Sequence, residues 1–451
     1  MIFCVECYLN GFCGSEGAIL KLISLSLQLS RSLIKAKHKK YILFATLILC
    51  LEYLDLIIYI KNTKILTDEF LIKSISRIEG ICLLFFILLL SNFLAKPCAA
   101  KFLTIAQQKF TNSSLVIVSS LIISLAFICQ ALLLLFYCKT LIIWLLIGFF
   151  AARFIYQFAL AIVIHDTYEF LLNAPELADD FIYLILNSLE LSVFCGMFGY
   201  KLLSLLNFST TATIAVFILI VSGLWLVSSV LFFLHRQELN QFNSQHTRCA
   251  AANNFAMMLE SNLQDTIIAF SIVGIRSSLC IIGVIYMPTY LIESLHFAPA
   301  IANNIILSSS FLALSLCILI EKYLYQFNYI DVLKFGLVGL IIGCLISYLL
   351  FFFKVIPFIG VAILVVFHSL FALGCPLILN QLFAPELRQL AVISCYRNSF
   401  LIFASFSFIL ITLLGGLFHS YILAPAVLLI TITVICYSCL ILFNKRATVT
   451  Q

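Results

Sequence analysis

The chain has 451 residues, of which 63% are hydrophobic and 10% charged, whereas a soluble globular protein carries roughly 25% charged residues. Too little polar side chain remains to coat a water-facing globule, which excludes a soluble enzyme, a disordered tail and a nucleic-acid binder. The net charge of +6 says nothing about acidic partners, because in a membrane protein the position of the basic residues matters more than their sum.

Residues 1–40 stand apart, with Cys4, Cys7 and Cys13 ahead of a weakly amphipathic stretch and a basic cluster of Arg31, Lys35, Lys37, Lys39 and Lys40. The cluster is expected on the cytoplasmic surface beside anionic lipid. The Cys4-Val5-Glu6-Cys7 pair has metal-ligand spacing but no second pair or nearby histidine, so no metal site is expected. Most of the 17 cysteines, such as Cys50, Cys82, Cys129 and Cys344, fall in apolar blocks and read as small packing residues.

Apolar blocks then follow at residues 41–60, 75–95, 114–138, 141–164, 181–205, 212–234, 266–291, 301–320, 332–353, 357–379, 390–417 and 421–443. Each holds about the 20 residues that a helical span requires. A transmembrane barrel is excluded, since its strands alternate apolar and polar residues, and an open sheet edge finds no partner in lipid. The longest polar interval, residues 235–265, divides the blocks six and six. The fold class expected is therefore all-α, a polytopic membrane protein with twelve transmembrane helices in two six-helix bundles at 41–234 and 266–443. An N-terminal extension (1–40), a linker (235–265) and a tail (444–451) complete the division and are placed in the cytoplasm. With that topology the inside segments hold 16 Lys and Arg and the outside segments 7, as the positive-inside rule requires. The acidic segment 165–180, without Lys or Arg, is the one loop that does not contribute to the bias.

An ionisable side chain at mid-bilayer costs at least about 2.5–3.5 kcal/mol, so such residues face a cavity, a partner or a pathway. Candidates are Glu52 and Asp55 in the first block, Glu79 in the second, Arg153 in the fourth, Glu190 in the fifth, Arg276 in the seventh and Arg397 in the eleventh. Glu52 and Asp55 share one helical face with Tyr59. Two close carboxylates in a low dielectric cannot both ionise cheaply, so one of them is expected to take up and release a proton. The competing expectation is that either acid simply pairs with Arg153 to hold helices together. Arg153, Arg276 and Arg397 can each bind a carboxylate bidentately, or can pair with Glu190, Glu79 or a backbone carbonyl. Tyr286 and Tyr290 flank Pro288 as cavity-mouth or interfacial aromatics. Neither a phosphate-binding Gly-rich loop nor a His-Glu-x-x-His pair occurs. No nucleophile and base pair suggests an intramembrane hydrolase, so an enzyme is not expected.

The stretch Leu51-Glu52-Tyr53-Leu54-Asp55-Leu56-Ile57-Ile58-Tyr59 resembles the first-helix signature of the metabolite:proton symporter family, the proline/betaine and α-ketoglutarate transporter group of the major facilitator superfamily. Phe93-Leu94-Ala95-Lys96-Pro97, Tyr286-Met287-Pro288-Thr289-Tyr290-Leu291 and Leu382-Phe383 with Glu386, Arg388 and Tyr396 are similar to further segments of that family, in order. The resemblance implies secondary active transport of a small carboxylate or zwitterion with protons. It implies Glu52 and Asp55 as proton carriers and Arg153, Tyr53, Tyr59, Arg276 and Arg397 around the substrate. It places gating loops at Lys96, Lys109, Glu321, Lys322 and Arg388. No cofactor and no nucleic acid are implied. The expected partners are a small-molecule substrate, protons and lipid, for a monomer in a bacterial inner membrane. The family's charged loop after the second helix is largely replaced here, with Gln108 for Asp, Lys109 for Arg, and Asn112 and Ser113 for the closing arginines. Ala161-Ile162-Val163 stands where the family has Gly-Gly-Glu. The alternatives are an efflux carrier of hydrophobic compounds and a degenerate, non-transporting paralogue.

Overall fold

A computed structural model describes residues 45–55, 57–59, 67, 77–136, 142–172, 178–206, 209–234, 263–324, 329–353, 356–383 and 423–447, with further positions between 395 and 418. The N-terminal extension, the linker, Arg388 and Arg397 lie outside the described residues. No strand occurs among the described residues. Lipid offers backbone groups no hydrogen-bond partner, so each apolar block satisfies its own amides as a helix.

The helices are α1 (residues 45–59, residue 56 outside the description), α2 (Arg77–Ala106), α3 (Asn112–Leu135), α4 (Ile142–Leu172), α5 (Ala178–Ser204) and α6 (Thr210–Leu234). In the second half α7 runs from Leu263–Cys280 through two π-type segments, Ile281–Tyr286 and Tyr290–Ser294, on either side of the α turn Met287–Thr289. Then come α8 (Pro299–Leu324), α9 (Tyr329–Phe352), α10 (Pro357–Leu382), α11 (the helical positions between 395 and 417) and α12 (Ala424–Ala447). Every expected block contains its helix. Nine of the described helices are long and apolar enough to cross a membrane, and large apolar side chains such as Phe93, Trp144, Leu125, Phe335 and Ile435 face outward, where the solvent is lipid.

Several boundaries differ from the sequence reading: α4 runs on to Leu172, into the acidic segment read as a loop, and α12 to Ala447. The α2 helix continues through Pro97 to Ala106, so Lys96 sits within a helix rather than in a loop, and only Lys109 lies in the short turn before α3. Glu321 and Lys322 likewise belong to the last turn of α8. These segments carry enough charge to read as loop, yet a helix that emerges from lipid can keep its hydrogen-bond ladder while its side chains become polar.

The packing repeats between halves. The α2–α4, α3–α4 and α3–α6 pairs of the first half recur as α8–α10, α9–α10 and α9–α12 in the second. Small residues allow this close approach. Ser124 and Ser222 bond reciprocally across α3 and α6, each hydroxyl reaching the other's backbone carbonyl at 3.1 and 3.0 Å. Between α9 and α10 the means is glycine: a Cβ at Gly336 would lie 2.7 Å from the Phe371 backbone nitrogen. Buried hydroxyls elsewhere bond back to their own helix, as Thr167 does to the Val163 carbonyl (2.7 Å) and Thr433 to that of Leu429 (2.6 Å).

The halves meet along α5, which packs against α8 and α10 of the second half. Near one end Lys201 of α5 donates to the side-chain oxygen of Asn304 on α8.

Candidate functional site

Among the described residues two groups of buried charge occupy the bundle. The first is built on α1 and α4. Asp55, 4% exposed, faces the fully buried Arg153, whose NH1 and NH2 donate to Oδ1 at 2.5 Å and Oδ2 at 2.8 Å. This is a bidentate, charge-assisted pair between residues 98 positions apart. The guanidinium is also seated between aromatic faces, its Cζ 4.6 Å from the Tyr59 ring centroid and 4.8 Å from that of Tyr156. Tyr59 lies one turn beyond Asp55 and donates to the Leu84 carbonyl of α2. Phe149 packs on the Tyr59 ring at 5.8 Å and Phe127 on Tyr156 at 5.0 Å. Rings and carboxylate together fix the plane of the guanidinium.

Glu52 is half-buried on the same face of α1, and Tyr53 is buried. The two α1 acids share this face as expected, and Asp55 pairs with Arg153. Asp55 has found the partner that the competing reading gave it.

The second group spans the halves. Glu190 of α5 accepts from NH2 of Arg276 on α7 at 3.4 Å and meets Nε2 of His368 on α10 at 3.0 Å, both at Oε1. NH1 of Arg276 donates to the Ala372 carbonyl of α10 at 3.2 Å. Arg276 therefore takes both partners foreseen for it, Glu190 and a backbone carbonyl. Glu190 and His368 form part of the wall of a cavity. Its other lining is Ser309 and Ser310 of α8 and apolar side chains of α7, α8, α10 and α12, among them Leu279, Met287, Val361 and Leu429. Asp55 and Arg153 do not line this cavity.

His368 escaped the sequence reading, which weighed acids and arginines inside the apolar blocks. A lone histidine within an otherwise uncharged span carries the same signal, since histidine is an ionisable group too. Tyr286 and Tyr290 do not open on this cavity. Tyr290 is buried against Tyr348 at 5.7 Å and Phe351 at 5.8 Å, so the pair packs α7 on α9. No group of His, Cys, Asp and Glu that could hold a metal ion occurs among the described residues.

No family model matches the sequence and no curated protein is significantly similar to it. Solved structures do match. A D-xylose-proton symporter aligns with a TM-score of 0.65 at 14% identity, over 88% of this chain and 96% of its own. The human organic anion transporter MFSD10 aligns at 0.61 and 11%, over 89% and 99%, and a bacterial homologue of the iron transporter ferroportin at 0.62 and 13%, over 91% and 99%. A major facilitator superfamily transporter, FucP, also matches over 99% of its length. The chain has the major facilitator fold. At such identities the likeness is one of architecture, and both charge groups of this facilitator fold have to be read from their own geometry.

Proposed function

We propose that the protein is a secondary active transporter of the major facilitator superfamily that carries a small carboxylate or zwitterionic metabolite, of the proline/betaine or dicarboxylate class, together with protons. The observation that carries this reading is the buried bidentate Arg153–Asp55 pair seated on two aromatic rings. An ion pair inside a membrane bundle costs desolvation energy that apolar packing would not, and a proton offers a way to open it: protonation of Asp55 frees the guanidinium for a substrate carboxylate. Glu52 supplies a second acid on the same helix face. Tyr53, Tyr59, Arg276 and Arg397 complete the substrate contacts, and Lys96, Lys109, Glu321, Lys322 and Arg388 serve the gating that alternating access requires. The likeness to a proton symporter and to an organic anion transporter supports this reading. We place the protein as a monomer in a bacterial inner membrane with both termini in the cytoplasm.

The test is accumulation of radiolabelled carboxylates and betaines in proteoliposomes under an imposed pH gradient. Asp55→Asn, whose side-chain oxygen still accepts one guanidinium bond, is expected to insert normally and to lose pH-driven accumulation. Accumulation undiminished in that variant removes the proposed proton carrier. The apolar wall of the cavity favours a second reading, a carrier of hydrophobic compounds, for which flux of apolar dyes and not of carboxylates would speak. A protein that moves neither is the non-transporting paralogue.

A further inference from the structure

The two buried arginines are satisfied in unlike ways. Arg153 and Asp55 belong to the same half and engage through both oxygens at 2.5 and 2.8 Å. Glu190 reaches Arg276 and His368 from the opposite half, through one oxygen only, and its contact with Arg276 is 3.4 Å long, well beyond the 2.7–2.9 Å of a good charge-assisted bond. The cradle formed by Arg276 and His368 belongs wholly to the second half. Arg276 is anchored on the Ala372 carbonyl independently of Glu190, so the guanidinium stays in place if the acid leaves. When the halves part, α5 withdraws its carboxylate and a buried guanidinium is left to find another anion. The adjoining cavity opens on the same carboxylate and imidazole.

We infer that Glu190 is an internal stand-in for a carboxylate of the solute, at an anion seat distinct from that of Arg153: it occupies an anion cradle made by Arg276 and His368, and a small organic acid with an apolar body, seated in the adjoining cavity, displaces it and so unties the two halves. The apolar body is called for by Leu279, Ile282, Met287 and Val361, with Ser309 and Ser310 beside them. Both hydroxyls already donate to the Ile306 carbonyl, at 2.9 and 2.8 Å, which leaves their lone pairs as acceptors. The inference rests on the carboxylate part of the proposed function and not on proton coupling.

The probe is benzoate, with neutral benzamide as its control, titrated against the detergent-purified full-length protein without any gradient. Glu190→Gln removes the internal competitor but keeps its shape. It is expected to tighten benzoate binding by about tenfold or more, equivalent to roughly 1.4 kcal/mol, and to leave benzamide unchanged. Benzoate affinity that is unaltered or weaker in Glu190→Gln overturns the inference and makes the triad a plain structural tether. If Glu190→Gln aggregates alone, recovery of a monodisperse peak with benzoate and not with benzamide supports displacement. Recovery with neither, or equally with both, overturns it. Because no transport is measured, the outcome is separate from that of Asp55→Asn: either reading can fail while the other stands.

Discussion

Arg153 is the largest charged side chain in the first-half core, and its environment tells what its removal should cost. Breaking a buried pair by deleting one partner leaves an uncompensated charge and costs about 3–5 kcal/mol, whereas replacing both partners with apolar residues is often neutral. Arg153→Leu should therefore lower the melting temperature of the detergent-solubilised protein steeply, and the double variant Asp55→Leu/Arg153→Leu should recover most of it. Equal loss in single and double variants would show that the aromatic seat, rather than the charge pair, sets the stability. The charged residues themselves were legible in the sequence, because Asp55, Arg153, Glu190 and Arg276 each interrupt an apolar block. Their pairing was not. Partners 98 and 86 positions apart are brought together only by the order of helices in the bundle, and no local pattern encodes it. His368 was overlooked for a different reason, since an imidazole can be buried neutral and breaks an apolar run less visibly than a guanidinium.

Helices are where the sequence was most informative, because one physical requirement, that backbone amides in lipid be satisfied within the segment, turns every long apolar block into the same element. What hydropathy leaves out is which faces touch. Gly336 and Gly339 read as ordinary residues of an apolar block, yet they set how closely α9 and α10 approach. At Gly336 an added methyl meets the backbone of Phe371 at 2.7 Å, and backbone cannot step aside. Gly336→Ala should cost about 1–3 kcal/mol by overpacking, read as a fall in melting temperature. Gly223→Ala on α6, where the added carbon meets nothing within 4 Å, should leave the melting temperature unchanged or slightly raised. An equal response at both positions would contradict the close approach. The π-type turns of α7 were equally invisible to hydropathy: they change the hydrogen-bond register without changing composition, and they flank Pro288, which brings no amide hydrogen of its own.

At the scale of the whole molecule the two halves repeat one packing scheme, and the join between them runs through α5. Lys201 and Asn304 touch across that join. On a cysteine-depleted background, Lys201→Cys with Asn304→Cys, bridged through disulfides by a short bis-methanethiosulfonate, should reduce uptake to background, with activity restored by dithiothreitol. Undiminished uptake at full cross-linking would mean that the halves need not part at this end. The division into an extension, two bundles, a linker and a tail is drawn from polarity alone, and the extension and the linker lie outside the described residues. Helix α5 itself belongs by sequence to the first half, yet it packs on α8 and α10 as well as on α6. Greasy contact has no preferred stopping point, because apolar burial is non-directional; only the few polar bonds along such a rod can act as detents. Under the proposed rocking of the halves, motion pauses where such bonds engage, and its timing is then set by a handful of atoms along α5.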